Sequence, residues 1–368
     1  MNTLSGFARS GIACLIALSA VAPTATYSQT KTPNASERVR VSTSIRAVDE
    51  FGDLRFATVS SAIRLTSGMI VISDARSNTV SFFRENGKLV TTIGRRGDGP
   101  AEFRANIWVG ECGRDSAFVF DRAHRRISVF TSAGKLARQF TLAFQPVSLS
   151  CSRNGEFAAP LTPDMQGAPL GRGATITYSG RIMVFGARGD SIGQVSGVSI
   201  GEPRALGKLT RIAILERQVA VATGDSDMVE IWSFDGKRSR TFKAGVANRK
   251  IAPLVRDRAM DALVSDFSDA KYRVNMKRLL LQQPAPEFLP PYSNVLSDSN
   301  GLLWVVETFI GQATTFARAY NATGTAQMSI SLPAGTQIMQ MSDNSIVTVQ
   351  EDADGDQVVV VYERLKNR

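Results

Sequence analysis

Histidine is almost absent from this sequence, because His124 is the only one among 368 residues. Cysteine is scarce too, with only Cys14, Cys112 and Cys151. A zinc site in a protein takes three or four ligands, and no His/Cys cluster could supply them. Catalysis by a serine–histidine–aspartate set would have to use His124. The sequence therefore predicts neither of these chemistries, and His124 is interpreted as a turn residue between strands.

Long apolar runs are also missing after the N-terminus. Arg9 and the apolar segment 12–21, followed by small residues, predict a signal peptide over residues 1–28. The apolar segment is too short to span a bilayer, and no later segment is long enough. We therefore expect an exported protein without a membrane span, periplasmic or extracellular, with a flexible linker over residues 29–37.

The charge is moderately basic, with a formal net charge of +10 at pH 7. The lysines and arginines are scattered, and no basic stripe interleaves aromatic residues as in a nucleic-acid-binding face. Nucleic acid is therefore not expected as a partner. A basic excess of this size is compatible with an anionic partner such as an acidic polysaccharide.

The dominant pattern is a five-residue signature in which an aromatic residue is followed, after three residues, by glycine. A strand-like run precedes each copy, and a second run usually follows. Repeated strand–turn–strand units of this kind predict a β-propeller. The five copies occupy residues 83–87, 130–134, 185–189, 232–236 and 320–324.

Six repeat units of about four strands can be traced, and together they predict one all-β domain over residues 38–368. Unit six lacks its outer strand, and the strand-like segment 39–46 belongs to no other unit. We expect this segment to pair with residues 358–362 and close the ring, since an open propeller would expose sheet edges. The six units cover residues 60–104, 105–143, 144–201, 206–251, 288–333 and 334–368.

Two insertions interrupt the repeats. Residues 160–180, rich in glycine and proline, predict a loop in unit three, and residues 252–290 predict two helices between units four and five. The first helix should bury Leu254, Ala259, Leu263 and Phe267, and Ser268 should cap the second. Both insertions open on the same side of the disc, which makes that side the expected binding face.

Basic residues on that side are the predicted ligand contacts: Arg95, Arg96, Arg256, Arg258 and Lys271. Arg95 and Arg96 belong to the segment 95–103, which lacks the lysine and Ser/Thr of a phosphate-binding P-loop. It is interpreted as the connection between units one and two.

Cys112 and Cys151 occupy equivalent places in neighbouring units. In an oxidising compartment, two cysteines can form one disulfide if their Cα atoms come within about 7 Å. We expect Cys112–Cys151, with two separate buried thiols as the alternative.

An acidic stretch, residues 351–356, is the most metal-like part of the sequence. Asp352, Asp354 and Asp356 could supply oxygen ligands to calcium, but their spacing departs from that of a calcium loop. Since turns favour Asp and Gly, an acidic hairpin is the preferred interpretation, and no cofactor is expected.

The segments 68–83, 93–103 and 290–304 resemble those of exported bacterial six-bladed β-propeller proteins with NHL-type repeats. The resemblance covers nearly all of the chain after the signal peptide. It implies an interaction platform, although a few relatives of that group are lactonases or lyases.

These observations predict a monomeric, non-enzymatic binding scaffold whose ligand is a protein or an anionic polymer. The alternative is a calcium-dependent propeller hydrolase or lactonase, which would need carboxylates converging near the central channel.

Overall fold

The computed structural model describes residues 36–45, 56, 58–104, 108–146, 148–161, 177–201, 206, 210–264, 269–282, 286–308, 310 and 312–365. Within these ranges, 24 strands form six antiparallel sheets of four strands each, which are the blades of a six-bladed propeller. The predicted signal peptide and residues 29–35 of the predicted linker lie outside the described residues.

The first three blades follow the chain in order, from the innermost to the outermost strand. Blade one is β2 (Val59–Arg64), β3 (Ile70–Asp74), β4 (Thr79–Phe83) and β5 (Leu89–Ile93). Blade two is β6 (Trp108–Glu111), β7 (Ser116–Asp121), β8 (Arg126–Thr131) and β9 (Leu136–Thr141). Blade three is β10 (Ser150–Cys151), β11 (Phe157–Pro160), β12 (Thr177–Phe185) and β13 (Ser191–Gly201).

The remaining blades include the two helices and the N-terminal strand. Blade four is β14 (Arg211–Leu215), β15 (Gln218–Ala222), β16 (Met228–Ser233) and β17 (Arg238–Lys243), followed by α1 (Pro253–Val264) and α2 (Ala270–Gln282). Blade five is β18 (Tyr292–Ser297), β19 (Leu303–Glu307), β20 (Thr314–Tyr320) and β21 (Ala326–Pro333). Blade six is β22 (Gln337–Met341), β23 (Ser345–Glu351), β24 (Gln357–Leu365) and β1 (Arg38–Ile45).

The hydrophobic core is divided into layers between neighbouring blades. Successive residues of a strand point to opposite sides of the sheet, so each blade contributes to two layers. Ile212 and Ile214 of β14 pack toward blade three, whereas Ala213 and Leu215 pack toward blade five. Six such layers surround the ring, and the stability of each blade depends on both of its neighbours.

The repeated glycine is explained by contacts between blades. Each signature turn joins the third and fourth strands of its blade and lies against the outer strand of the preceding blade. At Gly134, with φ of +73°, a Cβ atom would lie 2.6 Å from Cγ2 of Thr91. At Gly324 it would lie 2.6 Å from Cγ of Phe242. At these two positions glycine is therefore required by both backbone conformation and space.

Ring closure by the N-terminal strand is confirmed. β1 pairs antiparallel with β24, with Val41 opposite Tyr362 and Ile45 opposite Val359. Blade six thus has no turn between its third and fourth strands, which explains why six blades carry only five copies of the signature. Ser36 and Glu37 are not a flexible linker as predicted, because Ser36 bridges to Ser329 and the Glu37 amide donates to the Ser329 carbonyl at 2.9 Å.

A buried ion network fastens this closure. Arg364 of β24 is only 6% exposed. Its guanidinium lies 3.0 Å from a carboxylate oxygen of Glu37 and 3.3 Å from one of Asp298. It also stacks over the Trp304 ring, 4.9 Å from the centroid, and Asp298 accepts a hydrogen bond from the Trp304 indole at 2.9 Å. Arg364 therefore joins blades five and six to the segment that precedes β1.

The insertion in blade three differs from the prediction. Its last four residues, 177–180, are not loop but the beginning of β12, which pairs along its length with β13. Its first residue, Pro160, ends β11. Tertiary pairing overrides the loop-forming tendency of the glycine and proline here, and residues 162–176 lie outside the described part.

The second insertion forms two helices, as predicted. Asp269 caps the second helix, because its Oδ1 accepts hydrogen bonds from the amides of Lys271 and Tyr272 at 2.8 and 3.1 Å. The predicted cap, Ser268, lies outside the described residues. Of the predicted buried face of α1, Ala259 and Leu263 are half-buried and Leu254 is 61% exposed, whereas the fully buried residues are Met260 and Val264. Phe267 lies outside the described residues. In the described part of the chain, neither helix has the length and apolarity of a membrane span.

Cys112 and Cys151 form a disulfide in the structure, with their Cα atoms 4.8 Å apart. Cys112 begins the turn after β6, and Cys151 ends β10, so the bond joins the inner parts of blades two and three. It closes a loop with a sequence separation of 39 residues.

We predict that removal of β1 abolishes cooperative folding, because the outer edge of blade six and one face of Arg364 lose their partners. A protein beginning at residue 49 should show no sharp thermal transition by circular dichroism. A control beginning at residue 36 keeps Glu37 and should melt like one beginning at residue 29. Equal melting of all three would contradict the account of closure.

We also predict that C112S/C151S is less stable than the wild type by on the order of 3–4 kcal/mol, because the unfolded chain regains loop entropy. Urea denaturation measures the difference. In the oxidised wild type beginning at residue 29, which lacks Cys14, thiol titration after unfolding should find no free thiol; two would contradict the bond.

Candidate binding face

The two faces of the disc differ in the length of their connections. In each blade, the connection between strands one and two and the connection between strands three and four lie on the same side of the disc, which we call the turn face. These connections have two to five residues. We call insertion face the opposite side, formed by the connections between strands two and three and between blades. The insertion face holds α1 and α2, and the predicted binding side is therefore the structurally elaborated one.

The helical insertion is attached to the ring by a short two-stranded ribbon. The Ile251 amide donates to the Glu287 carbonyl at 2.9 Å, and the Leu289 amide donates to the Arg249 carbonyl at 2.8 Å. Within the insertion, Arg256 donates to the carbonyl of Leu281 at 2.7 Å. These bonds hold both helices on the ring.

A cavity of about 620 Å³ opens at the base of the helices. The cavity is lined by aliphatic side chains together with one basic and one acidic side chain. The lining residues are Ile251, Pro253, Leu254, Arg256, Asp257, Leu281 and Pro286. The cavity explains why Leu254 is exposed: it faces this space instead of the ring.

The outward surface of α2 is both basic and apolar. The helix buries none of its residues, and Tyr272, Val274 and Leu279 are 46%, 70% and 52% exposed. Its sequence contains four Lys/Arg residues and no Asp or Glu. Lys277 is neutralised by Asp257 and Asp261 of α1, at 3.0 and 2.7 Å. The others include the exposed Lys271 and Arg278, which are seven residues apart and so share one side of the helix.

The five predicted basic contacts do not form one patch. Arg95 and Arg96 lie at the junction of blades one and two, whereas Arg256, Arg258 and Lys271 lie at the junction of blades four and five, which is on the opposite side of the ring axis. Arg95 is also ion-paired with Glu102, at 2.6 Å. Of the second group, Arg258 and Lys271 are exposed, and Arg256 is half-buried in the insertion.

A cluster that the sequence did not reveal lies beside the insertion. Glu307 ends β19 and is half-buried, and no hydrogen bond or ion pair to its carboxyl group occurs among the described residues. Burial raises the pKa of Glu307, against the smaller opposing effect of the Arg318 and Arg249 guanidinium groups. Arg249 donates to the Ile310 carbonyl at 3.2 Å, and Arg318 donates to the Ala244 carbonyl at 3.3 Å.

Both arginines of this cluster keep unused hydrogen-bonding capacity. Nη2 of Arg249 and Nε of Arg318 are shielded from solvent and have no hydrogen-bond acceptor. Guanidinium groups with free donors suit a carboxylate or phosphate ligand. The cluster therefore gives the insertion face an anion-binding character independent of α2.

Asp74 and Asp121 end the second strands of blades one and two, as Glu307 ends that of blade five, and the three are candidates for the carboxylates of the hydrolase alternative. Asp74 Oδ1 accepts from the amide of Arg76 at 2.8 Å, and Asp121 Oδ1 accepts from that of Ala123 at 3.0 Å. Each of these carboxylates shapes the turn that follows its strand. The convergence required by the hydrolase alternative is not formed by these three residues.

The acidic stretch after β23 is also a turn. Oδ1 of Asp352 accepts hydrogen bonds from the amides of Asp354 and Asp356 at 2.9 and 3.0 Å. Among the residues that the structure describes, no three or more His, Cys, Asp or Glu side chains are grouped to hold a metal ion. The geometry thus gives no support to the calcium site considered for Asp352, Asp354 and Asp356.

His124 lies in the turn between β7 and β8 as predicted, but with two strong contacts. Nδ1 lies 2.5 Å from a carboxylate oxygen of Asp121, and Nε2 lies 2.6 Å from one of Asp98. The hydrogen bond to His124 is the largest effect lowering the pKa of Asp98. His124 thereby links the connection between blades one and two to a turn of blade two.

The pattern Gly-x-Ser-x-Gly occurs at residues 189–193 and 197–201. In α/β-hydrolases this pattern forms a turn from strand to helix that exposes the serine nucleophile. Here both serines, Ser191 and Ser199, belong to β13, the outermost strand of blade three. The structural context of a nucleophile is therefore missing.

Comparisons with known proteins support the fold alone. No protein-family model matches the chain, and no curated protein matches it. A member of the DUF4221 family from Bacteroides vulgatus has a similar structure, with a TM-score of 0.52, 9% identity and coverage of 90% of this chain and 99% of that one. A Bacteroides fragilis protein that is described as exported gives a TM-score of 0.50, 11% identity and coverage of 89% and 95%. A streptogramin B lyase gives a TM-score of 0.44 and 11% identity, with coverage of 86% of each chain. This similarity is too weak to bear on activity.

We predict that E307Q is more stable than the wild type at pH 7. Because the pKa of Glu307 is raised, the folded protein retains this proton to a higher pH than the unfolded chain, and stability falls as pH rises through the folded pKa. Below the ordinary pKa of about 4.3, both proteins carry an uncharged group and the difference should vanish. Urea midpoints at pH 7 and pH 4 measure this.

Glu351 offers a matched control, since it ends the equivalent strand of blade six and is exposed. E351Q should leave the urea midpoint unchanged at both pH values. A loss of stability in E307Q at pH 7 would show that the attraction of Arg249 and Arg318 for the Glu307 carboxylate outweighs the cost of burying its charge.

Proposed function

We propose that this protein is a non-enzymatic binding scaffold, and that its ligand is an anionic polymer that docks on α2 and the adjoining insertion face. The single observation that carries the proposal is the outward surface of α2, where exposed aliphatic and aromatic side chains flank Lys271 and Arg278. We propose further that the protein is exported and monomeric and that the polymer is an acidic polysaccharide.

Packing against the ring does not account for the apolar groups on the outward surface of α2. A helix that only covered the propeller would bury an apolar stripe, but α2 buries none of its residues. Exposed apolar groups in a patch are typical of interaction sites. Their presence beside lysine and arginine favours a ligand that combines negative charge with apolar contact area, such as a polyuronate with its pyranose rings.

The charge distribution favours a polymer over a small anion at this helix. Lys271 and Arg278 are separated by about 10 Å along the helix, at 1.5 Å per residue. Both are exposed, so each contributes little attraction alone, and several contacts along one chain are needed for useful affinity. A protein surface with a matching row of carboxylates would satisfy the same contacts and is the outcome to expect if polysaccharides fail to bind.

We predict that K271E/R278E loses binding to immobilised polygalacturonate, measured by biolayer interferometry. Wild-type binding should weaken as sodium chloride rises from 50 to 500 mM, because exposed charges are then screened. The matched control is K88E/K135E, which changes the net charge equally but lies on the turn face, where both lysines are exposed. This control should bind like the wild type.

Equal loss in both double variants would mean that only the net charge matters and would refute docking on α2. Failure of the wild type to bind polygalacturonate, alginate and dextran sulfate would refute the polymer ligand. Calcium-dependent hydrolysis of a lactone or ester panel by the wild type would instead favour the propeller hydrolase or lactonase.

A further inference from the structure

Arg211 occupies the rim of the central channel. It is the first residue of β14, the innermost strand of blade four. Each innermost strand begins where the chain arrives from the preceding blade, which is on the insertion face. The Arg211 side chain is on the same side of β14 as Ala213 and Leu215, which pack against blade five. Arg211 therefore lies at the channel mouth, between blades four and five.

The guanidinium group of Arg211 has no partner among the described residues. Its Nε is shielded from solvent and lacks an acceptor. The residue as a whole is half-buried. Arg364 differs in this respect. Its buried guanidinium group has a structural role and is surrounded by two carboxylates and a carbonyl oxygen.

The energetic consequence is an uncompensated charge. Burial lowers the pKa of Arg211 to about 10, and no carboxylate counteracts that effect. The group is nevertheless protonated at neutral pH, so a positive charge with unused donors is held in a poorly solvated place. Such a charge destabilises the protein unless an anion accompanies it.

We propose that Arg211 binds an oxyanion, the carboxylate or phosphate group of a small ligand, at the mouth of the central channel. The planar guanidinium group can donate two parallel hydrogen bonds to either kind of oxyanion. The site is separate from the polymer surface of α2, because it uses an inner strand of the ring and none of the residues of the insertion.

The test is thermal unfolding of R211M in buffers of constant ionic strength, with citrate or phosphate replacing chloride. The wild-type melting temperature should rise with either anion, by about 2–3 °C at ten times its Kd. R211M should melt higher than the wild type in chloride and should not respond to either anion. R211K keeps the charge without the planar group and should respond less than the wild type.

The matched control is R122M, since Arg122 also has a shielded Nε without an acceptor but belongs to a turn of blade two. It should respond to anions like the wild type, as should K271E/R278E, which separates this site from the polymer surface. A response to citrate alone would identify a carboxylate site. A response to both citrate and phosphate would identify a general oxyanion site. No response in the wild type, or an undiminished response in R211M and R211K, would overturn the proposal.

Discussion

The pairing of β1 with β24 is the interaction on which the rest of the structure depends. Each blade contributes to a hydrophobic layer on either side, so the ring has no independent part, and an open ring would leave two blades with one face exposed. The ladder joins residues more than 300 positions apart, from Arg38 opposite Leu365 to Ile45 opposite Val359. Such a contact carries a large entropic cost of loop closure, which Arg364 offsets by tying Glu37 and Asp298 into the same joint.

A closed ring explains how one face can vary without loss of the fold. The turn face is constrained, because the glycines of four of its five signature turns have no space for a Cβ atom against the neighbouring blade. On the insertion face, the ribbon formed by residues 249–251 and 287–289 carries two helices without interrupting any sheet. The rigid ring therefore positions α2, the Glu307 cluster and Arg211 on one side, where each can meet a ligand.

The fold could be predicted because its signals are local and repeated. Strand, turn and glycine recur at each blade, and the missing outer strand of unit six directly indicated the N-terminal segment. The Glu307 cluster could not be predicted, because Arg249 and Glu307 are nearly 60 positions apart and are brought together by the junction of two blades. The same limit applies to Arg95 and Lys271, which are both basic and on one face but lie across the axis from each other. The cap of α2 could not be assigned from the sequence alone, since Ser268 and Asp269 are both good capping residues, and the hydrogen bonds of Asp269 identify it as a cap.

Hydrogen–deuterium exchange with and without polygalacturonate can show whether the insertion face binds the ligand through α2. We expect slower exchange in residues 253–264 and 270–282 when polygalacturonate is bound, with no change in the turns at residues 84–88 and 132–135. Protection confined to the turn face, or spread evenly over both faces, would contradict binding through α2.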